Sequence, residues 1–405
     1  MKKALEGIRV LEWSMLQQGP AAGAILADLG AEVIKIETPG VGDNARYLKI
    51  TQSAEKEIAD GNTFYFDGLN RNKKGITLDL KSEEGKQLLY KLVEKSDVFL
   101  HNYRPGVPEK MKADYDTLKK YNPKLIYAQA SGLGSKGPDA AQATVDLVGT
   151  ARSGFMNAVG FAGEAPGYAA WGVGDQTGAI FMAFGIMTAL VVRERQGIGQ
   201  KVDTSLMRGL ANLNIYNMLY YAWTRETPPR FNLKASGQPA CNYYQCKDGK
   251  WIMLGVYMVS GVKRFFEIVD RCPEIINNPK YDTQAGVKED GAFLTSKFRE
   301  ILLERDRAEW LEFFAKNDFS AGIVATYEDV FSDPQALANG HYADYTYEPT
   351  GQKVPYLNPP FELSETPGSI TCSSPRLGQH NEEILSTLCG LSPEKIADLK
   401  ARKVI

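Results

Sequence analysis

The chain has 405 residues, 43% hydrophobic and 24% charged, with a formal net charge of −2. A chain of that size buries a core without disulfides or metal, and it is long enough for two domains or one domain with a large subdomain. Its near-neutral charge excludes general attraction to nucleic acid or anionic membrane.

The start, MKKALEGIRVLEW, passes from two lysines into a strand-like run, with no apolar stretch and cleavage site of the secretory kind. IRVLEW reads as a strand, GPAAGAILADLG as a helix with Pro20 near its start, and AEVIKIE as the next strand. GITLDL, a helix from about Ser82 to Glu94, SDVFLHN, a helical stretch near Tyr115–Tyr121 and KLIYAQASG continue the alternation. Short apolar strands separated by helical patterns predict βαβ units and a parallel sheet buried on both faces. The apolar run 177–192 is shorter than the ~18–20 residues that span a bilayer and reads as a buried helix. GQKVDTSLMRGLANLNIYNMLYYAW carries the pattern to about residue 223.

The texture then changes. TRETPPRFNLKASGQPACNYYQCKDGKW is rich in Pro, Gly and polar residues and reads as a linker or functional loop. KWIMLGV reads as a strand and 260–320 as mostly amphipathic helix, forming a smaller domain. PTGQKVPYLNPPFELSETPGS is extended, and NEEILSTLCGLSPEKIADLKARKVI is a terminal helical segment. The expected fold is α/β, a doubly wound Rossmann-like large domain plus a small α+β domain. The expected boundaries are 1–200, a linker at 201–225, the small domain at 226–325, and a return to the large domain at 326–405. Five scattered cysteines, at 241, 246, 272, 372 and 389, suit reduced thiols in a cytoplasmic protein. Three histidines, at 101, 341 and 380, are too few and too dispersed for a metal centre.

Three features bear on chemistry. The segment from IRVLEW to Glu37 has Rossmann-like order, but Gly19 and Gly23 give G-x-x-x-G without the tight pair a pyrophosphate needs. The literal G-x-G-x-x-G at Gly132, Gly134 and Gly137 runs into Pro138, so nicotinamide binding is not expected. NRNKKG and HNYRPGVPEKM place Arg71, Lys73, Lys74, Arg104 and Lys110 beside strands, where basic groups hold phosphates or are simply solvated. In WGVGDQTGAIFMAFGIMTALVVRER, Asp175 stands where a long apolar helix should begin. An Asp there reads equally as an N-cap and as a nucleophile between glycines that leave room for substrate, with exposed amides ready for an oxyanion.

The ordered series GIRVLEW…GP…LADLGAEVIKIE, NRNKKGITLDLKSEEGK, HNYRPG, ASGLGSKGP, GDQTGA, RQGIGQKVDTSLM and LGQHNEEIL covers nearly the whole chain. It resembles the class III CoA-transferases, the family of formyl-CoA:oxalate and carnitine CoA-transferases. The resemblance implies that Asp175 attacks an acyl-CoA, passing through an aspartyl anhydride and an aspartyl-CoA thioester. It implies catalytic roles for Gln17, Asp146, Gly237 and Gln238. Contacts to CoA are implied for Leu16, Gln18, Lys73, Asn102, Tyr103, Arg104 and Lys110. It implies an interlocked homodimer, an acyl-CoA donor and a carboxylic acid acceptor as substrates, no tightly bound cofactor, and no nucleic acid or membrane partner.

The departures from the pattern are specific. Formyl-CoA transferases have an arginine near the adenine where this chain has Thr38, and a longer glycine loop than ASGQPA. They have a tryptophan where this chain has Leu48, which implies an acceptor larger than oxalate; Trp13, Trp171, Tyr47 and Tyr168 read either as lining its pocket or, as such aromatics more often do, as core. The related 2-methylacyl-CoA racemases need a histidine where Val145 stands, and a non-catalytic CoA-binding subunit would not need Asp175. The segments NTFYFDGLNRNKKG and QALANGHY are somewhat similar to 2-hydroxyacyl-CoA transferases, suggesting a mid-sized acid, aromatic or hydroxylated.

Overall fold

A computed structural model describes residues 2–51, 54–55, 57–58 and 62–405. It comprises two compact units: Met1–Ala158 with Tyr168–Glu226 and Gly340–Ile405, and Val159–Gly167 with Thr227–Asn339.

In the larger unit, six described strands form one parallel sheet: β1 (Arg9–Trp13), β2 (Glu32–Glu37), β3 (Lys74–Thr77), β4 (Val98–His101), β5 (Ile126–Ser131) and β6 (Lys201–Ser205). Their order is β3-β2-β1-β4-β5-β6, the doubly wound order in which the chain reverses direction across the sheet between β1 and β4. Alternate residues of each strand feed two cores. Leu11, Ile34, Ile36, Ile76 and Phe99 pack with Leu88, Leu89 and Leu92, and with Ile384 and Leu385 from the returning C-terminus. Val10, Val33, Val98, Leu100 and Ile126 pack on the other face with Leu26, Met182, Ala183 and Ile186. Each such side chain contributes about 1.5–3 kcal/mol when fully buried, which is why strands apolar on both faces settle in the middle of the layers.

The helices that matter for the site are α1 (Gln18–Asp28), α2 (Phe64–Asn70), α3 (Glu83–Glu94), α4 (Asp146–Arg152), α5 (Val173–Gln196), α6 (Leu206–Leu213) and α7 (Ile215–Thr224). Helix α3 shows how local signals set an end: Ser82 Oγ accepts the Gly85 N–H at 3.0 Å, with Glu83 and Glu84 in the first turn. Helix α5 is longer than the 177–192 run predicts. Its 24 residues are long and apolar enough, by length and composition, to cross a membrane. Here its Ala179, Met182, Ala183 and Ile186 stripe packs on the sheet, while Ile180, Phe184 and Val191 on other faces are exposed.

The smaller unit is α+β. Strands Tyr243–Gln245, Trp251–Leu254 and Ala321–Ile323 pair antiparallel, and helices Ser260–Val269, Gly291–Leu302 and Arg307–Lys316 enclose Phe265, Phe298, Trp310 and Phe314. The rings of Phe265 and Phe298 stack at 3.9 Å. This unit takes in Val159–Gly167, because Arg230 donates to the Ala165 carbonyl at 2.8 Å and Phe161 bridges to Phe231. It extends to Asn339 rather than ending at 325.

Candidate active site

Ligands of a doubly wound sheet collect at the carboxyl ends of the strands where the order reverses. Between β1 and β4 those ends carry Ser14–Gln17 and Asn102–Tyr103. The two loops are stitched together: Asn102 Nδ2 donates to the Met15 carbonyl at 2.8 Å, and Asn102 Oδ1 accepts the Met15 N–H at 3.0 Å. Tyr103 lies on the ring of Trp13 at 4.1 Å, and burial pushes its phenol up to about 12. Trp13 is therefore core under this loop, not a pocket wall. Arg104 and Lys110 are exposed at the same end.

Asp175 is not the N-cap of α5. The helix begins two residues earlier, capped by Gly172 at φ 75, and Asp175 sits third in the first turn. The cap function falls to Asp146, the first residue of α4. Its Oδ1 accepts the N–H of Gly174 at 2.7 Å and of Asp175 at 3.0 Å. These amides, expected to be open for an oxyanion, are thus engaged. Asp146 Oδ2 accepts the hydroxyl of Tyr168, whose oxygen in turn accepts the Gly172 N–H at 3.2 Å. Three hydrogen bonds thus converge on the Asp146 side chain beside the helix N-terminus.

The glycines around Asp175 make room for protein, not for substrate. A Cβ at Gly172 would stand 2.1 Å from Gln17 Nε2, one at Gly174 2.8 Å from Asp146 Oδ1, and one at Gly178 2.1 Å from Gln18 Nε2. Gln17 is buried and its amide bridges two elements: Nε2 donates to the Gly172 carbonyl at 3.5 Å, and Oε1 accepts the Tyr65 hydroxyl of α2 at 3.1 Å. Gln18 packs against α5, its Nε2 without an acceptor among the described residues.

The Asp175 carboxyl is pushed up to about 7, first by burial and then by the charge of Asp146. Burial, with the charges of Asp175, Asp43 and Asp146, also raises the phenol of Tyr65. Among the described residues no cation pairs with either aspartate. A carboxyl raised by burial and by a neighbouring like charge, with no cation beside it among the described residues, is what singles out this place as the candidate site.

Lys73 is placed differently from the sequence expectation. Its ammonium is inside the protein, on Glu12 Oε2 at 2.7 Å, the Pro20 carbonyl at 2.8 Å and Asn70 Oδ1 at 3.0 Å. Burial pulls it down to about 8 despite Glu12. All three N–H groups are occupied, so no donor is left for a phosphate. Of the other aromatic residues, Tyr168 and Trp171 lie on the segment leading into α5, whereas Tyr47 turns its hydroxyl to the Val41 carbonyl at 2.8 Å. Leu48 is half-buried after the short turn Asn44–Tyr47.

Gly237 and Gln238 belong to the smaller unit. There Gln284 Nε2 donates to the Gly237 carbonyl at 2.6 Å, and Gln238 N–H to Ser236 Oγ at 3.1 Å.

Sequence reasoning missed Tyr65, Asp43 and Lys35, and it took Tyr168 for a pocket-lining aromatic rather than a partner of Asp146. No local signal marks Tyr65 of α2 as the partner of Gln17. Asp43, in GVGDNARY, carried one: an Asp two residues before Ala45 at a turn start, where it does accept the Ala45 N–H at 2.9 Å.

A family model described as CoA-transferase family III matches residues 5–381. The chain is 32% identical over 403 residues to the succinyl-CoA–D-citramalate CoA-transferase of Chloroflexus aurantiacus, covering 100% of this chain and 98% of that one. It is 31% identical over 405 residues to the (R)-2-hydroxy-4-methylpentanoate CoA-transferase of Clostridioides difficile, covering 99% of each. Among solved structures, a CaiB/BaiF family protein from Brucella suis superposes with a TM-score of 0.82 at 28% identity, covering 96% of this chain and 100% of that one.

Proposed function

The chain belongs to CoA-transferase family III and is a CoA-transferase acting on CoA thioesters, and on that premise we propose that Asp175 is its nucleophile. The observation that carries this is the half-buried carboxyl in the first turn of α5, raised by burial and by Asp146, whose charge is also felt by the Tyr65 that holds Gln17.

The ionised Asp175 attacks the thioester carbonyl, the C–S bond breaks, and CoA leaves as thiolate. The thiolate then attacks the aspartyl carbonyl of the anhydride, releasing the donor acid and leaving an aspartyl-CoA thioester. The acceptor carboxylate reverses the two steps and regenerates Asp175. Each step exchanges one acyl bond for another, so no water or redox partner is consumed. A raised proton affinity fits this cycle: a carboxylate that is barely stabilised in its free state is a stronger nucleophile, and partial ionisation near neutrality is enough. The Gln17 amide carries a second N–H for the oxyanion, since the helix amides serve Asp146.

CoA is read as lying across the β1/β4 reversal, with Leu16 and Gln18 by the thiol arm and Asn102, Tyr103, Arg104 and Lys110 toward the nucleotide. The acceptor is read as a mid-sized 2-hydroxy acid. Two relatives are named for such acids, D-citramalate and 2-hydroxy-4-methylpentanoate, and Leu48 leaves more room than a tryptophan. A second copy of the chain is the expected partner. None of the ten residues of α7 is buried, and Tyr216 and Trp223 are each 86% exposed. An apolar helix in that state calls for a covering surface, and light scattering of the purified protein tests it.

The deciding experiment is intact mass after incubation with acetyl-CoA, succinyl-CoA and 2-hydroxyacyl-CoAs without acceptor, trapped with hydroxylamine or borohydride. An adduct on Asp175, absent from Asp175→Ala, is the expected result. CoA binding without any adduct favours a racemase-like or accessory role instead.

A further inference from the structure

The loop that presents Gln17 is held in an unusual way. Leu16 has φ 60, a left-handed conformation that L-residues with a Cβ avoid. Its neighbours are tied by separate side chains: Lys35 Nζ donates to the Ser14 carbonyl at 3.0 Å, and Asn102 brackets Met15. The Leu16 N–H itself donates to Asp43 Oδ1 at 2.9 Å. Asp43 is buried, and every polar atom it offers is engaged. Oδ1 also takes the Ala45 N–H at 2.9 Å, Oδ2 pairs with Lys35 at 2.9 Å, and its own N–H donates to Glu37 Oε1 at 2.8 Å. Glu37 in turn holds Arg46, through Nε at 2.9 Å and NH2 at 2.7 Å. The segment after β2 is thus fixed from both sides and serves as the anvil for the segment after β1.

We infer that Asp43 is a positioning residue. It clamps Leu16 in the left-handed turn and so aims the Gln17 amide between Tyr65 and the Gly172 carbonyl, without touching substrate. The chain of contacts is Lys35, Asp43, the Leu16 backbone, Gln17 and the cap of α5. This deepens the proposed mechanism and rests on Asp175 being the nucleophile. A turn released at Leu16 swings the amide that starts α1, and a displacement of about 1 Å in such a group lowers a rate by about 10²-fold.

The test compares wild type, Asp43→Asn, Asp43→Glu, Leu16→Gly and the Asp43→Asn/Leu16→Gly double variant. The readout is the rate of hydroxylamine-trapped adduct formation from succinyl-CoA or a 2-hydroxyacyl-CoA, per folded molecule as measured by thermal melting. Asp43→Glu keeps the charge opposite Lys35 but moves the oxygen away from the Leu16 N–H, so it decides the matter if Asp43→Asn does not fold. The expected result is a loss of about 10–100-fold in both Asp43 variants. The double variant should lose no more than the worse single one, because both changes act on the same turn. Wild-type rates per folded molecule in the Asp43 variants, with only melting lowered, would show a structural role and overturn the inference. Losses that multiply in the double variant overturn it too, since Asp43 would then act by another route. A wild-type protein that forms no adduct with any donor overturns the transferase mechanism, and this inference with it.

Discussion

Two groups of buried charges lie at the same end of the sheet, and they are built on opposite rules. Under the β1 and β2 ends, Glu12 and Asp43 meet Lys35 and Lys73, two acids against two bases, at 2.7–3.1 Å. Burial alone would lower Lys35, yet Asp43, Glu12 and Glu37 together raise it above its ordinary value. At the start of α5, Asp146 and Asp175 meet with no cation among the described residues, and the second is lifted toward neutrality. The first group is compensated and holds loops still. The second is left in conflict, which raises the Asp175 carboxyl and, on the proposed mechanism, suits it to attack near neutral pH.

The sharpest way to separate them is to remove one member of each. Asp175→Ala should abolish adduct formation and lower turnover by at least about 10³-fold, measured by acyl exchange between succinyl-CoA and a 2-hydroxy acid. Asp175→Asn should do the same yet melt higher than wild type at pH 8. The folded carboxyl holds its proton to about 7 and the unfolded one only to the ordinary value of 3.8. Stability is therefore lost as pH rises between those two values, and the gain from Asn is full above 7 and near zero below 3.8.

In the compensated group the effect is on the fold. Lys73→Met leaves Glu12 buried with one base fewer and should destabilise the protein by about 3–5 kcal/mol, read from denaturant unfolding. The pair Glu12→Gln/Lys73→Met should recover much of that.

Gly172→Ala tests the seam between cap and glutamine. The position has φ 75, and a Cβ there meets Gln17 Nε2 at 2.1 Å. A loss of about 1–3 kcal/mol is expected from the backbone alone, with kcat falling as Gln17 is displaced.

The smallest effect is on pH dependence. A protonated Asp175 cannot attack, so kcat/KM should rise with pH to a plateau above about 7. Asp146→Asn removes the like charge, so the acid limb should move to lower pH, by about one unit. A limb that stays in place would mean that burial, the first cause, is the whole of it.

Much of this was legible in the residues. Apolar runs such as VFLH announced strands buried on both faces, and Ser82 with Glu83 and Glu84 announced the start of α3, because those signals are local and repeat within a few positions. Asp175 was legible as a carboxylate at the head of an apolar helix, and the ordered motifs pointed to the family. The sequence could not assign the jobs around it. Which aspartate caps the helix depended on α4 bringing Asp146 across 28 residues. What the glycines made room for depended on Gln17 arriving from 155 residues away. That Lys73 faces Glu12 instead of solvent depended on the sheet order. The sequence by itself determined the elements, the family and the candidate carboxylate. Only the tertiary structure decided which charges were compensated and which were left opposed, because compensation depends on distances between groups that the chain keeps far apart.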